Sequence, residues 1–183
     1  MYKRTSFTST TPLPSHISKD AVVATLHNHE EMIEMNPLVV HYERCDAPPQ
    51  APADEHQCPW YEITDRIPYL SCGFIQGRVS YKGCFCDRPE GLQTHVYAPM
   101  GLEIRSKWTV CGSMQGDPQE PTESGLGDAP KEGLYLREDV DMKCLIFACW
   151  FIRRTLEQSH SALVDRLVMK AGRPSAGRST SPA

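Results

Sequence analysis

The sequence predicts one α+β domain in which a curved antiparallel sheet wraps around a long C-terminal helix. Segments whose apolar side chains recur at every second position fill the middle of the chain, and its last part has helical periodicity. The segment GLEIRSKWTV at 101–110 shows the alternation best, because Leu102, Ile104 and Trp108 share one side and the charged residues share the other. An antiparallel sheet must cover its apolar face, and the final helix is the longest available partner.

The first part of the chain predicts a strand and two short helices. A β-prone segment covers 3–11, and Ser18 is placed to cap a helix that carries Asp20 in its first turn. A break near 27–29 divides the helical segment, which ends at Asn36 before Pro37. Alternation then predicts strands at 38–44, 60–66, 78–86, 92–97, 102–111 and 134–144, giving about six to seven strands in the sheet.

A helix is predicted over 145–170, with a stripe that continues through Ile152, Leu156 and Leu163. The chain of 183 residues therefore forms a single domain over 1–170, followed by a disordered tail at 171–183 that is rich in Ser, Pro, Gly and Ala. Residues 113–132 are acidic and rich in Pro and Gly, which is typical of a lid or a mobile loop.

Composition excludes several classes of function. The net charge is −4 and no element carries a basic stripe, so nucleic-acid binding is not expected. The longest apolar run has about nine residues, too few to cross a bilayer, and the N-terminus lacks a secretory signal. We therefore expect a cytoplasmic protein without integral membrane association. Its eight cysteines are then expected to be free thiols, with a disulfide framework as the less favoured alternative.

Metal and cofactor sites are not expected. On a helix, His27 and Glu31 would lie one turn apart on one face, a spacing that can hold zinc or iron. No third ligand can be named, however, and the cysteines lack the spacing of a zinc knuckle.

Glu138 is the first candidate for a catalytic residue. It shares the apolar side of its strand with Leu136 and Val140, so regular alternation points it inward. Burial would raise the pKa of this carboxyl unless a cation such as Arg66 or Arg154 pairs with it. Glu138 is then a general acid, a general base or a hydrogen-bonding partner for a ligand hydroxyl. A structural salt bridge, or a bulge that turns the side chain outward, is the alternative.

Tyr81 is the second candidate, because its strand has a clear inner side on which the hydroxyl could meet a ligand. A hydrogen bond to backbone is the alternative. His95 has outer-side parity and is a weak candidate for a base. For the strand at 60–66 the sequence does not decide which face is the inner one, because Tyr61 and Asp65 lie on one side and Trp60 on the other.

Five stretches of the sequence resemble the START-related superfamily, which includes the birch-pollen allergen and the polyketide cyclase/dehydrase proteins, and more closely a fungal family of unassigned function within it. They are LHNHEEMIEMNPLV (26–39), WYEITDRIPYL (60–70), VSYKGCF (79–85), THVYAPMGLEIRSKW (94–108) and GLYLREDVDMKC (133–144). The resemblance implies a helix-grip fold with a cavity for a hydrophobic small molecule. Some members of the superfamily carry such molecules, and others cyclise or dehydrate them.

We therefore expect a cavity of roughly 300–1,000 Å3 between the sheet and the helix. Its expected lining is Leu102, Ile104, Trp108, Leu136, Val140, Ile152 and Leu156. The expected function is binding of a hydrophobic small molecule, with cofactor-independent cyclisation or isomerisation in a fungal polyketide or terpenoid pathway as its enzymatic form. The alternative is a non-catalytic lipid or sterol carrier. A filled domain that acts only through its surface is a third interpretation.

Overall fold

The computed structural model describes residues 1–68, 76–112, 133–146 and 149–171. The strands and helices are β1 (Tyr2–Pro12), α1 (Lys19–Leu26), α2 (His29–Glu34), β2 (Val39–Cys45), β3 (Trp60–Pro68), β4 (Gln76–Arg88), β5 (Gly91–Ala98), β6 (Leu102–Cys111), β7 (Tyr135–Leu145) and α3 (Cys149–Ala171). The strands form one seven-stranded antiparallel sheet in the order β1-β7-β6-β5-β4-β3-β2. This arrangement, with α3 against the sheet, confirms the predicted fold class.

The two short helices are separated by a second cap. The Ser18 hydroxyl accepts a hydrogen bond from the backbone N–H of Ala21 at 3.2 Å, and Asn28 caps α2 in the same way. His27 lies between the two helices, where its Nε2 is 2.9 Å from the carbonyl oxygen of Gly91. The histidine thus fastens the helical segment to the turn between β4 and β5. Within the described part of the chain, no group of three His, Cys, Asp or Glu residues is arranged to hold a metal ion.

The inner face of the sheet carries the main hydrophobic core. Leu163 and Leu167 of α3 and Val22 of α1 join this core together with Leu136 and Trp108 from the sheet. Its members with less than a tenth of their surface exposed are Leu13, Ile17, Val22, Leu26, Ile33, Met35, Tyr61, Ile63, Phe85, Leu92, Trp108, Val110, Leu134, Leu136, Leu163 and Leu167. The face that β3 turns inward is therefore the one that bears Tyr61 and Ile63.

The outer face of the sheet is covered at one side by the segment 46–59, which links β2 to β3. Trp60 lies beneath this segment, only 2% exposed, and its indole N–H donates to the carbonyl oxygen of Glu55 at 2.9 Å. A second small core forms here from Trp60, Cys84, Cys86 and Ala51. The covering segment explains why β3 has aromatic residues on both faces.

The cysteines differ from the expectation of free thiols. Cys58 is bonded to Cys86, which ties the covering segment to β4, and Cys144 is bonded to Cys149. The expectation is wrong for these four residues, because the fold brings together cysteines that are 28 residues apart in the first pair. The free cysteines of the described part are Cys45, Cys84 and Cys111. Cys72 lies outside the described residues.

The C-terminal helix begins at Cys149 rather than near residue 145, because Leu145 still pairs with Tyr2 in the sheet. The predicted loop at 113–132 lies outside the described residues, as does nearly all of the predicted tail. Among the helices that the structure describes, none is long and apolar enough to span a membrane.

Candidate functional site

A cavity of about 180 Å3 lies between the sheet and the first half of α3. It is smaller than the predicted volume. Side chains from β3 to β6, the turn before β2 and α3 form its wall. They are Asn36, Leu38, Asp65, Val79, Tyr81, Thr94, Val96, Ala98, Leu102, Ile104, Ser106, Phe151, Ile152, Thr155 and Leu156.

The structure places the expected lining residues in two groups. Leu102, Ile104, Ile152 and Leu156 line the cavity, and so does the candidate Tyr81. All of them are only partly buried, as side chains beside an accessible space should be.

The second group is Trp108, Leu136 and Val140, which are buried but do not line the cavity. The ring of Trp108 stacks on His160 with 5.3 Å between centroids, at a point where α3 already lies close to the sheet. Val140 packs behind the wall formed by Leu102 and Ile104. Inward-facing strand residues therefore line the cavity where they face the first half of α3, and they belong to the closed core where they face its second half.

Glu138 points inward, but its partner differs from the expected arginine. It is 2% exposed, and one carboxylate oxygen is 3.0 Å from Nδ1 of His160 on α3. The other ring nitrogen of His160 is 2.8 Å from the hydroxyl of Thr11 on β1. The prediction of Arg66 or Arg154 is wrong, because both guanidinium groups are exposed and that of Arg154 lies over the Trp150 ring.

The pKa of Glu138 is raised by burial, while hydrogen bonds from His160 and Ser106 act in the opposite direction. Ser106 also lies in the cavity wall, although Glu138 does not. The carboxyl group therefore sits one side chain behind the cavity. The catalytic role of Glu138 stays a prediction. In this structure the carboxyl group could affect a ligand only through Ser106.

The cavity has one polar end, built around Asp65. The amide of Asn36 donates to one oxygen of the Asp65 carboxylate at 3.0 Å, and the hydroxyl of Tyr81 lies 3.2 Å from the other oxygen. Alternation along β3 puts Asp65 on the inner face after Tyr61 and Ile63, and Asn36 is held in place because its side-chain oxygen accepts the backbone N–H of Leu38.

Burial controls the electrostatics of this polar end. Asp65 is 8% exposed, and desolvation raises the pKa of its carboxyl group although Asn36 and Tyr81 donate to it. The pKa of the Tyr81 hydroxyl is also raised, first by burial and then by the neighbouring carboxylate. The tyrosine therefore stays protonated and acts as a hydrogen-bond donor, while Asp65 is the group at this end that can accept or release a proton.

The polar cluster on the outer face is sealed. His95 is fully buried, with Nδ1 2.8 Å from Glu55 and Nε2 3.0 Å from Glu103. Cys84 lies on the neighbouring strand, and burial followed by the Glu55 charge raises the pKa of its thiol to about 12. The thiol is therefore no nucleophile. The outer-face position of His95 agrees with its parity, but its ring is covered by Glu55 of the segment 46–59.

A wider concavity of about 450 Å3 opens on the outer face of β1, β7, β6 and β5. Its wall includes Arg105 and Lys107 together with Asp139 and Asp141, and Arg4 donates to Asp141 at 2.9 Å. Charged and exposed side chains of this kind are typical of an open solvated surface, whereas a small-molecule site is usually an enclosed pocket with few polar groups. We therefore assign the site to the cavity beside α3.

Sequence reasoning missed Asp65 and Asn36 as site residues, and it missed His160 as the partner of Glu138. The signal for His160 was present, because it lies four residues after Leu156 and three before Leu163 on one helical face. The signal for Asp65 was the same as for Glu138, an acid that continues an apolar alternation. For Asn36 the sequence holds no such signal.

Comparison with solved structures supports the fold. The chain superposes on Ara h 8.0201 with a TM-score of 0.54 at 10% identity, covering 92% of this chain and 99% of that one. A START superfamily protein from Mycobacterium smegmatis gives a TM-score of 0.50 at 14% identity, with coverage of 91% and 98%.

The di-domain ARO/CYC protein BexL from the BE-7585A biosynthetic pathway gives a TM-score of 0.59 at 12% identity. The match covers 93% of this chain and 51% of BexL, so this chain spans about half of the di-domain protein. At such low identity these likenesses establish the helix-grip fold alone.

No curated protein matches the chain significantly in sequence. One family model does match, over residues 2–173, which is nearly the whole chain and includes every residue of the cavity wall. The chain therefore belongs to the family described as Domain of unknown function (DUF7053).

Proposed function

We propose that this protein binds a small hydrophobic molecule in the cavity between the sheet and α3. The observation that carries the proposal is the cavity wall itself, in which aliphatic and aromatic side chains surround the Asp65 cluster and a few hydroxyl groups. An apolar enclosure with a few convergent polar groups is the usual form of a small-molecule site. The volume of about 180 Å3 favours a compact ligand over a sterol or a full-length lipid chain.

Native mass spectrometry of the purified protein, in search of a co-purified small molecule, tests the proposal directly. Ala98 lines the cavity, so Ala98→Leu should fill part of it and weaken binding of the co-purified molecule or of a fluorescent apolar probe by at least about tenfold. Ala21 is exposed on α1, and Ala21→Leu is the matched control. Equal binding by both variants and the parent contradicts the assignment of the cavity.

The enzymatic form of the proposal is a cofactor-independent cyclase or isomerase. Its support is the pairing of a buried carboxyl of raised pKa with a protonated tyrosine at the end of an apolar cavity. Such a site can fold a reactive chain and move one proton without a nucleophile. The shared fold with an ARO/CYC protein is compatible with this form, and a fungal polyketide or terpenoid pathway is its proposed setting. Conversion of the co-purified molecule into a new product separates it from a carrier.

The proposed cytoplasmic location conflicts with the two disulfides, since disulfides are rare in cytosolic proteins. Alkylation of the protein in freshly lysed cells, followed by mass spectrometry of the peptides around Cys58 and Cys86, decides the matter. Reduced thiols support the cytoplasm, and a bonded pair places the protein in an oxidising compartment.

A further inference from the structure

The carboxylate at the polar end of the cavity has only neutral partners in the described part of the chain. Asn36 contributes an amide and Tyr81 a hydroxyl, and no ion pair is formed by Asp65 among the described residues. Buried carboxylates are normally paired with a cation, because neutral donors compensate only part of the lost hydration. Among the described residues, therefore, no cation balances the charge of this acceptor in the cavity.

The cations closest in sequence to the cavity wall point elsewhere. Arg66 on β3 and Arg78 on β4 lie opposite each other in the strand register, and both side chains are exposed on the outer face. On α3, Arg153 is exposed and bound to Glu157, and the guanidinium of Arg154 lies over an exposed tryptophan. The segment 69–75, which joins β3 to β4, contains no Lys, Arg or His.

The neutral donors at this end are already engaged. The Tyr81 hydroxyl donates to Asp65, and the Asn36 amide donates to Asp65 and lies within hydrogen-bonding reach of the Tyr81 oxygen. The oxygens of Asp65 and Tyr81 keep lone pairs that can still accept. A ligand that brings another acceptor, such as a carboxylate, would thus face three acceptor atoms at this end and no free donor among the described side chains.

We propose that the molecule bound in the cavity is an apolar amine whose protonated nitrogen donates to Asp65, with its hydrocarbon part against Leu102, Ile104 and Leu156. An ammonium group supplies the missing charge and the missing donors together, and a charge-assisted hydrogen bond is stronger than a neutral one. This inference rests on the proposed function and adds the chemical class of the ligand.

Four compounds with one phenyl body and different ends test it: phenethylamine, phenethyl alcohol, propylbenzene and phenylpropionate. Their dissociation constants are measured at neutral pH by ligand-observed NMR or calorimetry. The amine should bind at least about tenfold more tightly than the alcohol, since its hydrogen bond is charge-assisted, and phenylpropionate should bind most weakly. In Asp65→Asn the preference for the amine over the alcohol should vanish, while propylbenzene binds as to the parent.

Asp141→Asn removes a carboxylate from the outer face and serves as the control, in which all four affinities stay unchanged. Binding of propylbenzene without preference for the amine contradicts this inference alone, as does a preference that survives in Asp65→Asn. Failure of all the compounds to bind contradicts the proposed function and this inference with it.

Discussion

Asp65 and Glu138 are both carboxylates buried on the inner face of one sheet, yet the protein surrounds them differently. Glu138 lies where α3 is close to the sheet and is bound by His160, which is fixed in turn by Thr11 and by the Trp108 ring. Asp65 lies beside the first half of α3 and, from the residues that the structure describes, receives hydrogen bonds only from an amide and a phenol. The first carboxylate has a partner that can carry a positive charge, and the second has none among the described residues.

The same contrast exists along α3 itself. Phe151, Ile152 and Leu156 in the first half are partly buried and face the cavity, whereas Leu163 and Leu167 in the second half are almost fully buried. One helix thus closes the core at one end and leaves a space at the other. The two carboxylates follow this division, so a structural polar group lies in the closed half and a candidate functional group in the open half.

The largest effects should come from breaking the closed half of the domain, first at Glu138. Glu138→Ala leaves His160 without its partner and opens a void, so the free energy of unfolding should fall by about 3 kcal/mol, measured by denaturant unfolding. Glu138→Gln should lose less, because its amide oxygen can still accept from Nδ1. In a double-mutant cycle with His160→Ala, the coupling should exceed about 1 kcal/mol. Purely additive effects would show that the pair does not hold α3.

A leucine pair compares the two halves of the helix directly. Leu163 has no exposed surface, so Leu163→Ala should lower the free energy of unfolding by about 3 kcal/mol. Leu156 borders the cavity and is partly exposed, so Leu156→Ala should lower it by about 1 kcal/mol. Equal losses, measured under the same conditions, would mean that α3 is packed uniformly and that the cavity is closed in solution.

The strands and the inward direction of Glu138 could be predicted from the sequence, because a period of two depends only on neighbouring residues. The inner face of β3 could not. Its outer residue Trp60 is covered by the segment 46–59, and nothing local signals that a loop folds back over a sheet. The partner of Glu138 was missed for a related reason, since it depends on how α3 is rotated against β7.

The site was only partly predictable. Leu102 and Ile104 have the same parity as Trp108, but only the first two line the cavity, because the distance between helix and sheet changes along α3. That distance is set by packing across the whole domain. The bond between Cys58 and Cys86 likewise depends on the fold of a long segment and was not expected from spacing.

The smallest effect concerns the charge of Asp65 in the absence of ligand. Its pKa is raised by burial, so the folded protein holds the proton over a range of pH in which the unfolded chain has lost it. Stability should therefore fall as the pH rises from the ordinary carboxyl value, about 3.9, to the folded pKa, and stay lower above it. Its contact Tyr81 does not titrate in this range, since its own pKa is raised.

Asp65→Asn removes the titration, so its melting temperature at pH 7 should be higher than that of the parent, and less dependent on pH over the same range. Asp141 is a control in which the pKa shift has the opposite sign, because the hydrogen bond from Arg4 lowers the pKa of its carboxyl group. The ionised form of Asp141 stabilises the fold above its ordinary pKa, and this contribution is lost as the pH falls through the folded pKa. Asp141→Asn should therefore not raise the melting temperature at pH 7. A lower melting temperature for Asp65→Asn would show that the carboxylate stabilises the empty protein, which would remove the contrast with Glu138.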